Sequence, residues 1–304
     1  MVVQKSPSWF RILGQVGRPL CLSFVVAVVV TVLELRSHPF KAIPVPDITL
    51  SVIAAALGVL IGFRTNSAYA RWWEARQLWG RLVNSSRSLA RQAVSFSACG
   101  GERQSEANRF TRTLITSQIA YVHALRCALR GQPPWEDIGP FLDPQTLAAL
   151  QEQQNVPAAL LQRMGRYAAE AADTGLITEW RLQRVDATLS EITDVQGGCE
   201  RIKNTPLPRQ YDYYPELFVK IYCLLLPTVL VQELGWLTPL VTGLVSFVLL
   251  VLNQIGKNLE DPFENQVYDT PMTALSRTIE INLLQALDEK QLPPAMGPVK
   301  GVLW

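Results

Sequence analysis

The chain has 304 residues, 48% of them hydrophobic and only 18% charged, against roughly 25% charged in soluble proteins, which fits a membrane protein with a sizeable soluble portion. A net charge of +2 gives no support to a nucleic-acid binder that works by neutralising phosphates. Five cysteines, Cys21, Cys99, Cys127, Cys199 and Cys223, occur without a C-x-x-C pair, so neither a disulfide framework nor a zinc site is indicated and all five read as buried, reduced thiols.

In chain order, a basic segment 1–18 leads into a first apolar run, Pro19 to Leu35, and a polar hinge leads into a second, Ile48 to Phe63. Together they make a transmembrane pair over 19–63. The first run has no small-residue cleavage site and continues into the second, which argues against a removed signal peptide. A region of about 64–216 follows and reads as helical, with Leu182, Val185, Leu189, Ile192 and Val195 spaced by three and four to form a packing stripe. Breaks fall at Gly100-Gly101, at Gly131-Gln132-Pro133-Pro134, and at two helix starts: Asp143 before Pro144, and Asn155 before Val156-Pro157. Two more apolar runs, Leu217 to Leu234 and Leu237 to Ile255, form a second transmembrane pair over 217–255. Segment 256–304 contains a predicted helix from Met272 to Glu289 and a Pro-rich tail, expected to be disordered, after Gln291.

Each run is shorter than the roughly 20 residues needed to cross a hydrocarbon core, but arrangement in two close pairs favours spanning. Most of the 28 basic residues lie between Arg64 and Arg209. Near the span ends, Arg11, Arg18, Arg64, Arg71, Arg76 and Arg209 place both termini and the region 64–216 on the cytoplasmic side, in a plasma (inner) membrane protein. Lys220 sits where it can snorkel to the interface, and Pro227 is expected to kink its helix.

A constellation for enzyme chemistry is not apparent. Only two histidines occur: His38 in the outer hinge and His123 on what reads as a polar helix, both taken as solvated or locally hydrogen-bonded. Phosphate-cradling glycine loops, G-x-S-x-G and H-E-x-x-H are absent from the sequence. Asn84-Ser85-Ser86 matches a glycosylation acceptor, but a cytoplasmic position makes the match empty.

More informative is the second run. Ala54, Gly58 and Gly62 recur every four residues, and the last two form a G-x-x-x-G that suits close helix packing in lipid. One step around, Ala55, Val59 and Phe63 form a narrow apolar stripe whose periodicity alone does not choose between lipid, protein and a pore.

Three motifs carry a resemblance. GFRTNSAYARWWEARQLWG at 62–80, DVQGGCERIKNTPLP at 194–208 and LEDPF at 259–263 resemble, in order and in relation to four apolar spans, the signature segments of the bestrophin family, particularly its prokaryotic branch. The resemblance implies an all-α membrane protein with four transmembrane helices and a cytoplasmic helical bundle, assembled as a homopentamer. It implies an ion channel whose second helix lines a hydrophobic neck, which assigns Ala55, Val59 and Phe63 to the pore. The family has larger residues at the first two positions, so the neck here is expected to be wider, or gated mainly at Phe63. A second, cytoplasmic constriction aligns loosely with Ile177, or with Leu176 beside it, and a core role there has equal weight. Eukaryotic relatives hold calcium in an acidic run. Here Glu260, Asp261, Glu264 and Asp269 are interrupted by Gln266, Val267 and Tyr268, so neither calcium nor any other cofactor or metal is expected. The acidic group is instead expected to cap or salt-bridge neighbouring helices, with Arg11 or Arg18 as partners. The outer hinges balance acidic Glu34, Asp47 and Glu233 against Arg36 and Lys41, which leaves the sign of the permeant monovalent ion open. The family name favours anions such as chloride; a cation-selective channel is the alternative, and a membrane scaffold or regulatory subunit the alternative of another class.

Overall fold

The computed structural model describes residues 1–3, 9–37, 47–97 and 103–304. His38, Lys41 and the rest of the hinge residues 38–46, with Cys99, Gly100 and Gly101, lie outside them. Helices in chain order are α1 (Trp9–Ser37), α2 (Asp47–Phe96), α3 (Gln104–Leu129), α4 (Trp135–Ile138), α5 (Pro144–Gln151), α6 (Val156–Asp173), α7 (Glu179–Asn204), α8 (Arg209–Leu234), α9 (Thr238–Glu260) and α10 (Met272–Ala286). Among the described residues, the only non-helical pairing is two isolated bridges, Val2 with Val302 and Val299 with Val302.

Two compact units divide the chain. One contains α1, α2 as far as Trp72, α8 and α9; the other contains α2 from Trp73, α3 to α7 and everything from Pro262 onward. Hydropathy alone puts its boundary at Phe63 and Arg64, whereas the compact units change at Trp72–Trp73, so the first two turns of the Arg- and Trp-rich stretch pack with the apolar helices.

Among the described residues, three stretches are long and apolar enough to cross a membrane: Phe10–Ser37, Leu50–Phe96 and Arg209–Glu260. The third is two helices. Gly235, at φ +48, ends α8 in a backbone conformation that glycine adopts without strain, and a short 3-10 turn, Gly235–Leu237, leads into α9 with Pro239 in its first turn. Small polar side chains recur among the buried residues of α1 and α9. Ser23 and Thr31 of α1 and Thr238, Thr242 and Ser246 of α9 are all almost fully buried. Oγ of Ser23 lies 2.8 Å from Oγ of Ser246 and 3.1 Å from the carbonyl of Cys223 in α8, tying three helices together. Glu34, counted from the sequence among the charges of the outer hinges, lies within the last turns of α1 and is buried at 4% exposure.

The other unit has an apolar core centred on Trp79, Leu82, Leu114, Tyr121, Val185 and Ile192. Asp143 and Asn155 cap α5 and α6 as their sequences predict, accepting the N–H of Thr146 at 2.9 Å and of Ala158 at 3.1 Å. Of the predicted α7 stripe, Val185, Leu189, Ile192 and Val195 are buried and Leu182 packs at its edge. The tail beyond Gln291, expected to be disordered, is tied down by its backbone: Val299 and Val302 exchange hydrogen bonds, and the carbonyl of Trp304 accepts from Ala274 at 2.6 Å.

Buried thiols are found at Cys127, Cys199 and Cys223, but Cys21 is exposed on α1, because it lies on the side of α1 away from its helix contacts. Burial pushes the Cys199 thiol up to about 12, which keeps it protonated and unreactive.

Candidate functional site

Along the first half of α2 the sides of the helix differ sharply. Leu57, Ile61, Arg64 and Ala68 are buried within their unit. Ala55, Val59 and Phe63 point away from it, with Val59 and Phe63 58% and 63% exposed. Ala54 is half-buried, and Gly58 and Gly62 are exposed; a Cβ added at either glycine would meet nothing within 4 Å. The stripe and the glycine motif therefore share a surface that the chain itself does not cover.

On the opposite side, Arg64 is 1% exposed. Its guanidinium donates to Oδ1 of Asn253 at 2.8 Å, to Asp212 and to Oε2 of Glu260 at 3.4 Å. Arg71 donates to the carbonyl oxygen of Glu260 at 2.8 Å and pairs with Asp261 at 3.9 Å. The sequence marks Arg64 only as a span boundary. The one signal its partners leave in the sequence is that they are polar exceptions: Asn253 inside the fourth apolar run, Glu260 just beyond that run and Asp212 just before the third.

Of the remaining carboxylates in the acidic group, Glu264 pairs with Lys203. Asp269, 4% exposed, accepts the backbone N–H of Gln266 at 3.0 Å, and burial pushes its pKa up. The ion-pair partners are thus Arg64, Arg71 and Lys203, where the sequence suggests Arg11 or Arg18. Among the described residues no three His, Cys, Asp or Glu side chains are gathered as a metal site. Lys220 pairs with Glu216 one turn earlier at 2.6 Å, and Lys257 of α9 shares that carboxylate at 3.0 Å.

Ile177 and Leu176 are both buried, at 2% and 6% exposure, in the apolar core. Their burial fits the core role that the sequence weighs equally with a lower constriction. His123 is not solvated: at 4% exposure its Nε2 lies 3.0 Å from Oε2 of Glu280, whose other oxygen accepts from Arg277 at 3.0 Å, and its ring stacks on Phe141. α3 looks polar in sequence, yet it is enclosed on most sides. A cleft of about 470 Å³ in the same unit is lined by Gln132, Trp135, Asn155, Glu200 and Lys203 among others. Its charges are already engaged, Glu200 with Asn155 and Gln196, Lys203 with Glu264.

The family model described as bacterial/fungal bestrophin protein matches residues 2–285. The chain belongs to the bestrophin family. This bestrophin is 31% identical over 308 residues to the voltage-dependent anion channel-forming protein YneE of Salmonella typhimurium, covering 99% of this chain and 98% of that one. It is 35% identical over 292 residues to the voltage-dependent anion channel-forming protein mll4386 of Mesorhizobium japonicum, covering 95% and 89%. Among solved structures, a bacterial bestrophin homolog from Klebsiella pneumoniae matches with a TM-score of 0.84 at 26% identity, over 91% of this chain and 100% of the other. The bestrophin fold and the apolar stretches identify an integral membrane protein built of helices.

Proposed function

We propose that this bestrophin is a membrane channel for monovalent anions such as chloride, formed by five copies whose α2 helices surround a hydrophobic neck of Ala55, Val59 and Phe63. In this reading α1, α2, α8 and α9 are the four spans, with the termini and the second unit on the cytoplasmic side of the inner membrane. The basic residues at the span ends support that orientation. One observation carries the reading: in a chain whose relatives are named as anion channel-forming proteins, α2 presents Val59 and Phe63 outward beside two glycines with nothing over them. The glycines allow close approach of a second copy, and the apolar side chains then form rings. A ring of Phe closes a pore by expelling water, while Ala and Val raise a smaller barrier, so Phe63 is the principal constriction.

The test is flux and current from purified protein in lipid vesicles and planar bilayers. Wild type is expected to conduct, with a reversal potential under a chloride gradient on the anion side, and Phe63→Ala is expected to raise the current at least several-fold. Absence of flux from both proteins would sink the channel reading in favour of a scaffold. A reversal potential of the opposite sign would replace chloride with a cation, and an unchanged current in Phe63→Ala would remove Phe63 from the neck.

A further inference from the structure

The neck reading leaves open why the residue after Phe63 is an arginine buried to 1%. A guanidinium among apolar helices is costly unless its donors are paired, and Arg64 is held by two helices. From one nitrogen it donates to the Asn253 side chain at 2.8 Å and to the Asn253 carbonyl oxygen at 3.4 Å; from the other it donates to Asp212 and to Glu260 at 3.4 Å. Asn253 and Glu260 belong to α9, and Asp212 to the first turn of α8. Seven residues on, two turns along the same side of α2, Arg71 donates to the carbonyl oxygen of Glu260 at 2.8 Å. That carbonyl is one of those a helix end leaves without an intrahelical partner. Two arginines thus fix α2 against both rotation and sliding on α9.

Consecutive helix residues leave the axis about 100° apart. Phe63 accordingly departs from α2 away from the bundle while Arg64 departs into it, and α2 cannot turn one without turning the other. We infer that Arg64 is a positioning residue for the Phe63 ring: its clamp on Asn253, Asp212 and Glu260 sets the rotation of α2, and with it the angle at which Phe63 enters the conduction path. The inference rests on the reading of Phe63 as a neck residue.

The experiment is a double-mutant cycle in planar bilayers, measuring time-averaged current per channel for wild type, Arg64→Gln, Phe63→Ala and the double variant. Arg64→Gln is expected to raise the current about fivefold or more over wild type. In the Phe63→Ala background the same substitution is expected to change it by less than about twofold. Arg64→Lys is expected to fall between, because an ammonium can serve a carboxylate but cannot present the planar fork of donors. If Arg64→Gln does not assemble, Asp212→Asn, which keeps the guanidinium and alters only its half-exposed partner, takes its place in the cycle. Equal fold-changes in the two backgrounds would overturn the inference, since the effect would then bypass Phe63. Wild-type current from an assembled Arg64→Gln channel would overturn it as well. A wild type without current fails the channel reading itself, whereas a wild type that responds to Phe63→Ala but not to Arg64→Gln fails only the positioning role.

Discussion

Gly197 and Gly198 are neighbours in sequence and opposites in environment. A Cβ at Gly198 would lie 2.9 Å from both terminal methyls of Leu78, while one at Gly197 would meet nothing within 4 Å. Alanine in a helix gains about 1 kcal/mol over glycine, but forcing a methyl into a packed core costs about 1–3 kcal/mol, and Leu78 is buried with little room to yield. Gly198→Ala is therefore expected to lower thermal stability in detergent while Gly197→Ala raises it by about 1 kcal/mol; shifts of the same sign would refute the contrast. At Asp137, burial works to raise the carboxyl pKa, but the Arg126 guanidinium at 2.6 Å and the Cys127 thiol at 3.3 Å outweigh it and hold the group below its usual range. A depressed carboxylate contributes stability above the unfolded pKa of about 4, lost as the pH falls through the lower folded value. The melting temperature of Asp137→Asn is expected to lie below wild type at neutral pH and to converge on it in acid. A gap that persists in acid would show that the pair's charge is not its source. Arg64 and His123 were not legible as buried residues, because a single charged or aromatic-polar side chain carries no signal of its partner when that partner is more than a hundred residues away.

At the level of elements, the apolar runs were legible and their seams were not. Hydropathy reads Ser23, Thr31, Thr238, Thr242 and Ser246 as minor interruptions of greasy segments, yet all five are almost fully buried, and Ser23 meets Ser246 between α1 and α9. In lipid there is no hydrophobic gain from joining two apolar helices, so small side chains that permit close approach take over, and one pair, Ser23 and Ser246, hydrogen-bonds across it. Ser246→Leu is expected to destabilise the folded protein by about 1–3 kcal/mol, and Leu240→Ala, on the 67% exposed outer side of the same helix, to change it little. Equal melting shifts from the two substitutions would mean that the seam is no tighter than the outer surface. Helix starts at Asp143 and Asn155 were legible because a cap and its proline are local chemistry. The unbroken α2 was legible for the complementary reason: composition changes at Phe63 and Arg64, but no residue there ends a helix.

For the whole molecule, family and helical class could be read from three motifs, and the solved bestrophin structure agrees with both. Burial adds information that motifs cannot carry. Ile177, which the resemblance sets loosely at a lower constriction, lies in the core, while Val59 and Phe63, proposed here for the neck, lie outside the chain's own packing. A residue that lines a path between copies must be left uncovered by its own copy, so exposure of an apolar side chain in one chain separates the two cases.

α2 runs for 50 residues without interruption, about 75 Å at 1.5 Å per residue. Within the first compact unit, Arg64 and Arg71 lie seven residues, close to two turns, apart on one side of this helix, Arg64 reaching Asn253 and Glu260 of α9 and Arg71 the carbonyl oxygen of Glu260. A substitution between the two arginines alters one contact, but inserting or deleting a single residue there turns one arginine by about 100° relative to the other and takes it off α9. Along this stretch the protein can vary its letters but not their number.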